Sequence, residues 1–373
     1  MQQILFHIPF TFFGLFPNGI PIYGFGMMLF IAFILCTWLA SRRARKDGVP
    51  IEAIQDLSIW VFVGGILGAR TVFMLVEQPG TFMDRMKNFF PGFFYIWDGG
   101  LVFYGSLLGG TVGFILAYFF VLRRNNISFW KTADVIAPAL AIGVCLGRIG
   151  CLLNGCCYGD VACPDCWEIK YPLSAAPRGD YTKLGIQTAA GFTVKGAELP
   201  FVPPIVEEVA EHSPADAAGL RPGDLILMAD EVEVKSYSDL EDYLTSHWPR
   251  GRNELRLTVQ HAGGEKEELP AFRPLSIGLY PTQVYESISC FLLFLLMTAF
   301  FPFRPRYGTV MLIFLYLYPI HRFLDEMLRH DTDPVAWGLT FSQIGSVAVF
   351  LSAIVLTVLV WRQPPLKHVA QPA

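Results

Sequence analysis

Seven stretches of this chain are apolar for long enough to cross a lipid bilayer, and nothing else limits its architecture as strongly. They lie near residues 20–40, 57–76, 99–122, 134–153, 284–302, 308–328 and 338–361. A hydrocarbon core of ~30 Å is spanned by about 20 residues of helix, so each run reads as a transmembrane helix. Of 373 residues, 53% are hydrophobic, 16% are charged and 32 are Phe, which is too apolar for an ordinary soluble domain. The opening segment ILFHIPFTFFGLF is too short to span and is expected to be interfacial or re-entrant. It has neither the basic region nor the small-residue cleavage site of a signal peptide.

The net charge of −4 says little, whereas the placement of Lys and Arg says much. Basic residues cluster in alternate connections: Arg42, Arg43, Arg45 and Lys46 after the first run, Arg123, Arg124 and Lys131 after the third, Arg304 and Arg306 after the fifth, Arg362 and Lys367 at the end. The positive-inside rule makes those ends cytoplasmic and the amino terminus external. Seven spans have the right parity for that pattern.

Hydrophobicity stops between about 160 and 280, where the chain turns charged and rich in Gly, Pro and Glu. The parity puts this insert outside. It divides the chain into a first membrane part (1–172), an extracytoplasmic insert (173–279) and a second membrane part (280–373). The fold class expected is an all-α polytopic membrane protein of about seven transmembrane helices, carrying a small α+β insert.

Within the insert, Gly219 and Gly223 suit tight turns, LILMADEVEV alternates like a hairpin, and SDLEDYLTSHW begins a helix with Ser238 or Asp239 as N-cap. The strand LRLTVQ, a Gly-Gly turn and EKEELPAF complete the unit, and residues 201–272 resemble a bacterial PDZ domain. PDZ domains add a peptide as an extra strand and capture its carboxylate on backbone amides. The resemblance makes KLGIQT, with Leu184, Gly185 and Ile186, the carboxylate loop for a peptide or protein tail. A spacer with no ligand is the alternative.

Charges in hydrocarbon cost at least ~2.5 kcal/mol each and are kept for a function or a partner. Those within or beside the apolar runs are Arg70, Asp134, Arg148, Glu286, Arg322, Asp325, Glu326 and Arg329, with the polar Asn154. Arg322 and Glu326 are one helical turn apart and share a face, with Arg329 expected nearby on it. Mutual neutralisation of Arg322 and Glu326 is the plain structural reading.

Six passages occur in order: IPIYGFGMML, GGILGART, DGGLVFYGSLLGG, ADVIAPALAIGVCLGRIGCLLNG, YPTQVYES and HRFLDEMLRHD. Together they resemble the phosphatidylglycerol:prolipoprotein diacylglyceryl transferases of bacterial inner membranes. The resemblance implies that the thiol of a lipobox cysteine attacks the glyceryl carbon bonded to phosphate in phosphatidylglycerol, forming a thioether and releasing glycerol phosphate. The lipid is itself the donor and no cofactor is implied. The chain has no phosphate loop, dinucleotide fingerprint or nucleic-acid motif.

Fixed guanidinium groups suit an anionic head and a departing phosphate in a low-dielectric site. The resemblance gives that role to Arg148 and Arg322, with Glu326 and Glu286 orienting them or the glycerol hydroxyls, and Tyr23 as a functional tyrosine of the first span. Asn154, Gly159, Arg70, Asp134, Gln283, Tyr285 and Arg329 are the further substrate-binding candidates. Gly147, Gly150, Gly155 and Gly159 are expected to let helices or loops approach closely around the lipid.

The chain departs from the family at four positions. Tyr104 and Tyr280 stand where histidine is usual, Cys151 where asparagine is usual, and Cys156 where glutamate is usual. A thiol with a reference pKa of ~8.5 is a few per cent thiolate near neutral pH, whereas a tyrosine of ~10 is a poor base. Two classes of function follow: a divergent transferase using Tyr104 among its catalytic residues, or a catalytically silent scaffold that binds lipid and recruits partners through the insert.

Of eight cysteines, Cys36, Cys145 and Cys290 lie in apolar runs and read as small core hydrophobes. Cys151, Cys156, Cys157, Cys163 and Cys166 fall close together on the outward side. Disulfides, a zinc site drawing on Cys156, Cys157, Cys163 and Cys166, and a reactive thiol near Arg148 all remain open for them.

Overall fold

The computed structural model describes residues 4–9, 20–77, 103–195, 201–245, 247–249, 251–329 and 334–366. In chain order the helices are α1 (Gly24–Asp47), α2 (Ile51–Val72), α3 (Phe103–Ala117), α4 (Phe129–Asn154), α5 (Ala176–Lys183), α6 (Pro214–Ala217), α7 (Tyr237–Leu244), α8 (Thr282–Phe300), α9 (Thr309–Glu326) and α10 (Phe341–Trp361). The chain forms two compact units. One comprises Met1–Phe25, Ile149–Tyr285 and Met327–Asp333, and the other Gly26–Arg148, Glu286–Glu326 and Pro334–Ala373.

Six helical segments among the described residues are long and apolar enough to cross a membrane: Gly24–Asp47, Ile51–Leu75, Gly105–Arg123, Phe129–Asn154, Thr282–Phe303 and Phe341–Trp361. The chain is a multi-pass membrane protein. The seventh run expected, 308–328, is helical as α9, but its 18 residues end in Arg322, Asp325 and Glu326. Large apolar side chains such as Phe30, Leu108 and Val355 are exposed on the helices, as lipid-facing positions require.

In the helical unit, polar contacts fix the direction of each helix. Arg304, following α8, pairs with Asp47 at the end of α1 and lies 3.6 Å from Asp134 near the start of α4. Asp134 in turn accepts from the backbone N–H of Gly308 (2.8 Å), Val310 (2.9 Å) and Met311 (3.0 Å), so it caps α9. At the other end, Glu286 of α8 meets both Arg148 of α4 and Arg322 of α9. Helices α4 and α9 therefore run one way and α8 the other.

The closest helix approach is between α2 and α3. Gly64 and Gly68 face Gly105, Gly109 and Gly113, and a Cβ on Gly64 would stand 2.5 Å from the Gly109 carbonyl oxygen. Small residues at four-residue spacing permit this backbone contact. The close approach expected at Gly147 is absent, since nothing lies within 4 Å of where its Cβ would be.

In the other unit, β1 (Ile4–Ile8) pairs antiparallel with β2 (Ile20–Tyr23), so the described part of the opening segment is a strand. Strand β3 (Ile169–Lys170) pairs with β10 (Gly278–Leu279), and β4 (Phe192–Val194) with β5 (Val206–Val209). An antiparallel sheet has the order β7 (Val232–Glu233), β6 (Leu225–Ala229), β8 (Leu257–Gln260), β9 (Lys266–Glu268). Val206, Ile226, Leu240, Leu257 and Val259 are buried in one core, so the insert has its own apolar interior. Helix α7 is capped by Ser236, two residues before the earlier of the two expected caps. Ser236 Oγ accepts from Asp239 N (3.3 Å) and the Asp239 carboxylate from Ser236 N (3.1 Å), a reciprocal box that neither Ser238 nor Asp239 as cap would close.

The backbone N–H groups of the expected carboxylate loop have partners within the chain. Leu184, Gly185 and Ile186 form the C-terminal cap of α5, their backbone N–H groups donating to Asp180, Thr182 and Tyr181 carbonyls at 3.0–3.1 Å. With those donors used inside the helix cap, none is left to hold a peptide carboxylate.

Candidate functional site

In the helical unit, three segments bring buried charge together. Arg148 Nε lies 2.8 Å from Glu286 Oε2, and Arg322 Nη1 lies 3.9 Å from the same oxygen. One turn apart on α9, Arg322 and Glu326 are paired, while Asp325 is 3.5 Å from Arg322 Nη1. Glu286 is fully buried, and Arg322, Asp325 and Glu326 nearly so.

Neutral groups hold this cluster in place. Tyr318 donates to Glu286 Oε1 (3.2 Å), Thr340 donates to Glu326 Oε1 (2.9 Å), and Arg322 Nη2 donates to Ser342 (2.8 Å). Thr340 is also the N-cap of α10, closing a reciprocal box with Gln343, so the start of α10 is fixed against the end of α9. Among the described residues Arg322 Nη1 is buried with no hydrogen bond, only carboxylates at ion-pair distance. A buried guanidinium with unused donors is positioned for an incoming anion, because leaving it unsatisfied is costly. His321 Nε2 is likewise buried without a hydrogen-bond partner among the described residues.

Two guanidiniums face three carboxylates here, which leaves one surplus negative charge if all are ionised. An anion entering here would compete with the carboxylates for the guanidiniums. Beside the cluster, Leu292, Leu293 and Leu296 of α8 and Leu317, Tyr318 and His321 of α9 line an apolar groove of about 380 Å³.

In the other unit, a loop is held at three points. Gly159 N donates to Tyr280 O (3.0 Å), Asp160 N to Leu328 O (2.8 Å), and Gly159 bridges Arg329. A Cβ on Gly159 would meet Tyr280 O at 2.5 Å and Leu328 O at 3.0 Å, so glycine is needed for packing of backbone on backbone. Gln283 donates to Cys156 O (2.7 Å) and exchanges hydrogen bonds with Tyr171, and Thr282 donates to Cys157 O (2.9 Å). Cys163 and Cys166 are disulfide-bonded, whereas Cys151, Cys156 and Cys157 have their sulfurs within 4.8 Å of one another.

The candidates read from the sequence thus separate. Arg148, Glu286, Arg322 and Glu326 meet, and Tyr318, His321, Thr340 and Ser342 join them without having been singled out. Only His321, next to Arg322, gave a local signal. Asp134 lies at the opposite end of α4, about 21 Å from Arg148 along the helix, with its oxygens occupied by the α9 cap. Helix α9 ends at Glu326, before Arg329, which is bridged to Gly159. Tyr23 closes β2 rather than lying within a span. Arg70 is buried with its guanidinium 5.2 Å from the Phe73 ring, Tyr285 donates to Trp167 O (3.4 Å), and Asn154 is the last residue of α4. The side chain of Tyr104 lies outside the described residues.

The profile of the family described as prolipoprotein diacylglyceryl transferase matches residues 13–359. A phosphatidylglycerol–prolipoprotein diacylglyceryl transferase of Rhodopirellula baltica is 26% identical over 370 residues, covering 93% of this chain and 74% of that one. Its namesake in Bdellovibrio bacteriovorus is 28% identical over 357 residues, 94% of this chain and 91% of the relative. That of Proteus mirabilis is 35% identical over 159 residues, 42% of this chain and 51% of the relative. With most of its length matched and the buried arginine cluster in the matched region, this chain belongs to the prolipoprotein diacylglyceryl transferase family.

Proposed function

We propose that this protein transfers the diacylglyceryl group of phosphatidylglycerol to the cysteine thiol of a prolipoprotein, releasing glycerol phosphate. The observation that carries the reading is the buried Arg148–Glu286–Arg322–Glu326 cluster, with donors on Arg322 still unused. In a site shielded from water, guanidiniums aimed at the phosphate stabilise the charge that grows on its oxygen as the glyceryl C–O bond breaks. Glu286 and Glu326 are held by Tyr318 and Thr340 and keep the arginines oriented. The apolar groove beside Tyr318 and His321 offers room for an acyl chain.

Seven spans are the arrangement favoured, with α9 crossing despite its charged last turn because Arg322 pairs with Glu326 and Asp325 there. Arg304 and Arg306 meet the ends of α1 and α10 and the start of α4, which gathers the basic connections on one face. That grouping supports a cytoplasmic face there, with the amino terminus and the insert on the outer side of a bacterial inner membrane. The sheet order and separate core of the insert support a PDZ-like domain.

The test is transfer of labelled diacylglyceryl from phosphatidylglycerol to a lipobox peptide by the purified protein. Arg148→Ala and Arg322→Ala are each expected to lower turnover by about 10²–10³-fold. Arg322→Lys is expected to stay low, because an ammonium cannot keep the Glu326 and Ser342 contacts at once. Full turnover in both alanine variants would refute the assignment, and no turnover by folded wild-type protein would refute the reaction.

A further inference from the structure

Cys151, Cys156 and Cys157 are the one group of three thiol, imidazole or carboxylate ligands close enough to hold a metal among the described residues. Cys151 stands in the last turn of α4, and the other two follow in the turn that leaves it. The turn is built tightly. Gly155 N (2.9 Å) and Cys156 N (3.2 Å) both donate to Cys151 O, and Gly155 has φ 78°. Cys157 has φ 58°, a left-handed conformation that costs a side-chain-bearing residue energy and persists only where its surroundings impose it. Its effect here is to turn the Cys157 thiol back toward its neighbour, since adjacent side chains in extended backbone point apart.

Two buried side chains impose that conformation. Thr282 holds the Cys157 carbonyl and Gln283 the Cys156 carbonyl. Cys163 and Cys166 are spent on each other. Three sulfurs within 4.8 Å are left unbridged. In a tetrahedral zinc site with Zn–S near 2.3 Å, sulfurs stand about 3.8 Å apart, so the thiols need to close by no more than about 1 Å. Three thiolates leave one position open, the ligand count of a catalytic rather than a structural zinc site.

We propose that Cys151, Cys156 and Cys157 form a three-thiolate zinc site whose fourth position takes the thiolate of a cysteine peptide. A peptide thiol with reference pKa ~8.5 is mostly protonated near neutral pH, whereas a thiol bound to zinc is deprotonated. On binding, the S–H proton passes to solvent, the sulfur keeps its lone pairs and the metal its oxidation state.

The experiment uses the full-length protein purified in detergent. Elemental analysis is expected to find about one zinc per chain, lost in Cys151→Ser and in Cys157→Ser and retained when Cys163 and Cys166 are both replaced by Ser. To separate loss of ligand from loss of fold, wild-type protein is stripped with a chelator and reloaded with Co²⁺. Sulfur-to-cobalt charge-transfer and tetrahedral d–d bands are expected, and a lipobox peptide is expected to shift them while its Cys→Ser version does not. Absence of both zinc and the cobalt bands, or a disulfide mapped between any two of the three cysteines, would overturn the site. Cobalt bands that ignore the cysteine peptide would overturn the fourth-ligand assignment. The spectra need no turnover, so a protein that binds cobalt and peptide thiol without moving lipid would count against the transferase reading alone.

Discussion

Asp134 and Glu286 are both carboxylates with no exposed surface, and they do different work because of what faces them. Asp134 receives three backbone N–H groups at the start of α9 and has Arg304 nearby. Its oxygens satisfy orphan donors of a helix terminus, a structural task. Glu286 receives Arg148, Arg322 and Tyr318, which are side chains with a ligand's reach. Asp134→Ala is therefore expected to destabilise the protein by at least about 2 kcal/mol through the lost cap and the uncompensated Arg304. Turnover per folded molecule should stay near wild type. Thermal unfolding in detergent alongside the transfer assay checks both parts, and a selective loss of lipid affinity would return Asp134 to the substrate site.

At the scale of elements, the insert carries a charge arrangement whose stability depends on pH. His261 Nε2 lies 2.9 Å from Glu267 and its Nδ1 2.7 Å from the buried Asp224, which ties the turn between β8 and β9 to the start of β6. Glu267 first, then Asp224, raise the imidazole pKa above its ordinary value by hydrogen bonding to the charged form. A group whose pKa is raised on folding adds stability that is full below its unfolded value of ~6.5 and is lost as pH rises through the folded value. Amide exchange in β6, β8 and β9 of the intact protein is expected to accelerate as pH rises above ~6.5 beyond its intrinsic dependence. His261→Gln should remove that excess, and an unchanged profile in the variant would assign the effect elsewhere. Arg178 shows the opposite case in the same insert. Its guanidinium donates to the carbonyls of Leu173, Leu244 and Ala189 and lies 4.9 Å from the Trp248 ring, and burial pushes its pKa down to about 10.

For the whole molecule, the consequence that reaches furthest is orientation. The proposed orientation, with basic connections inside and the insert outside, predicts that alkaline phosphatase fused at the Gly263–Gly264 turn is active outside the cytoplasm. A green fluorescent protein joined after the last residue should fold and fluoresce inside. The reverse pair of results would require an even number of crossings or an inverted chain.

Span positions, the charged insert and the family were legible in the sequence because each is written locally. Run length sets a crossing, Lys and Arg placement sets a side, and short strings such as GRIGCLLNG and HRFLDE carry the resemblance. Strand and helix spacing in the insert was legible for the same reason, although the cap of α7 moved to Ser236 once the reciprocal bond with Asp239 chose it. What only the tertiary structure decided was which polar groups meet. Arg148, Glu286 and Arg322 converge because α4 and α9 run against α8, and α9 stops at Glu326, before Arg329. The oxygens of Asp134, a substrate-binding candidate from the sequence, accept from N–H groups of α9, and the amides of Leu184, Gly185 and Ile186 donate within the end of their own helix. The five outward cysteines divided into a bridged pair and a three-thiol cluster because Thr282 and Gln283, distant in sequence, fix the turn that presents Cys156 and Cys157. Hydrogen-bond partners distant in the chain are chosen by packing, and composition and periodicity do not encode that choice.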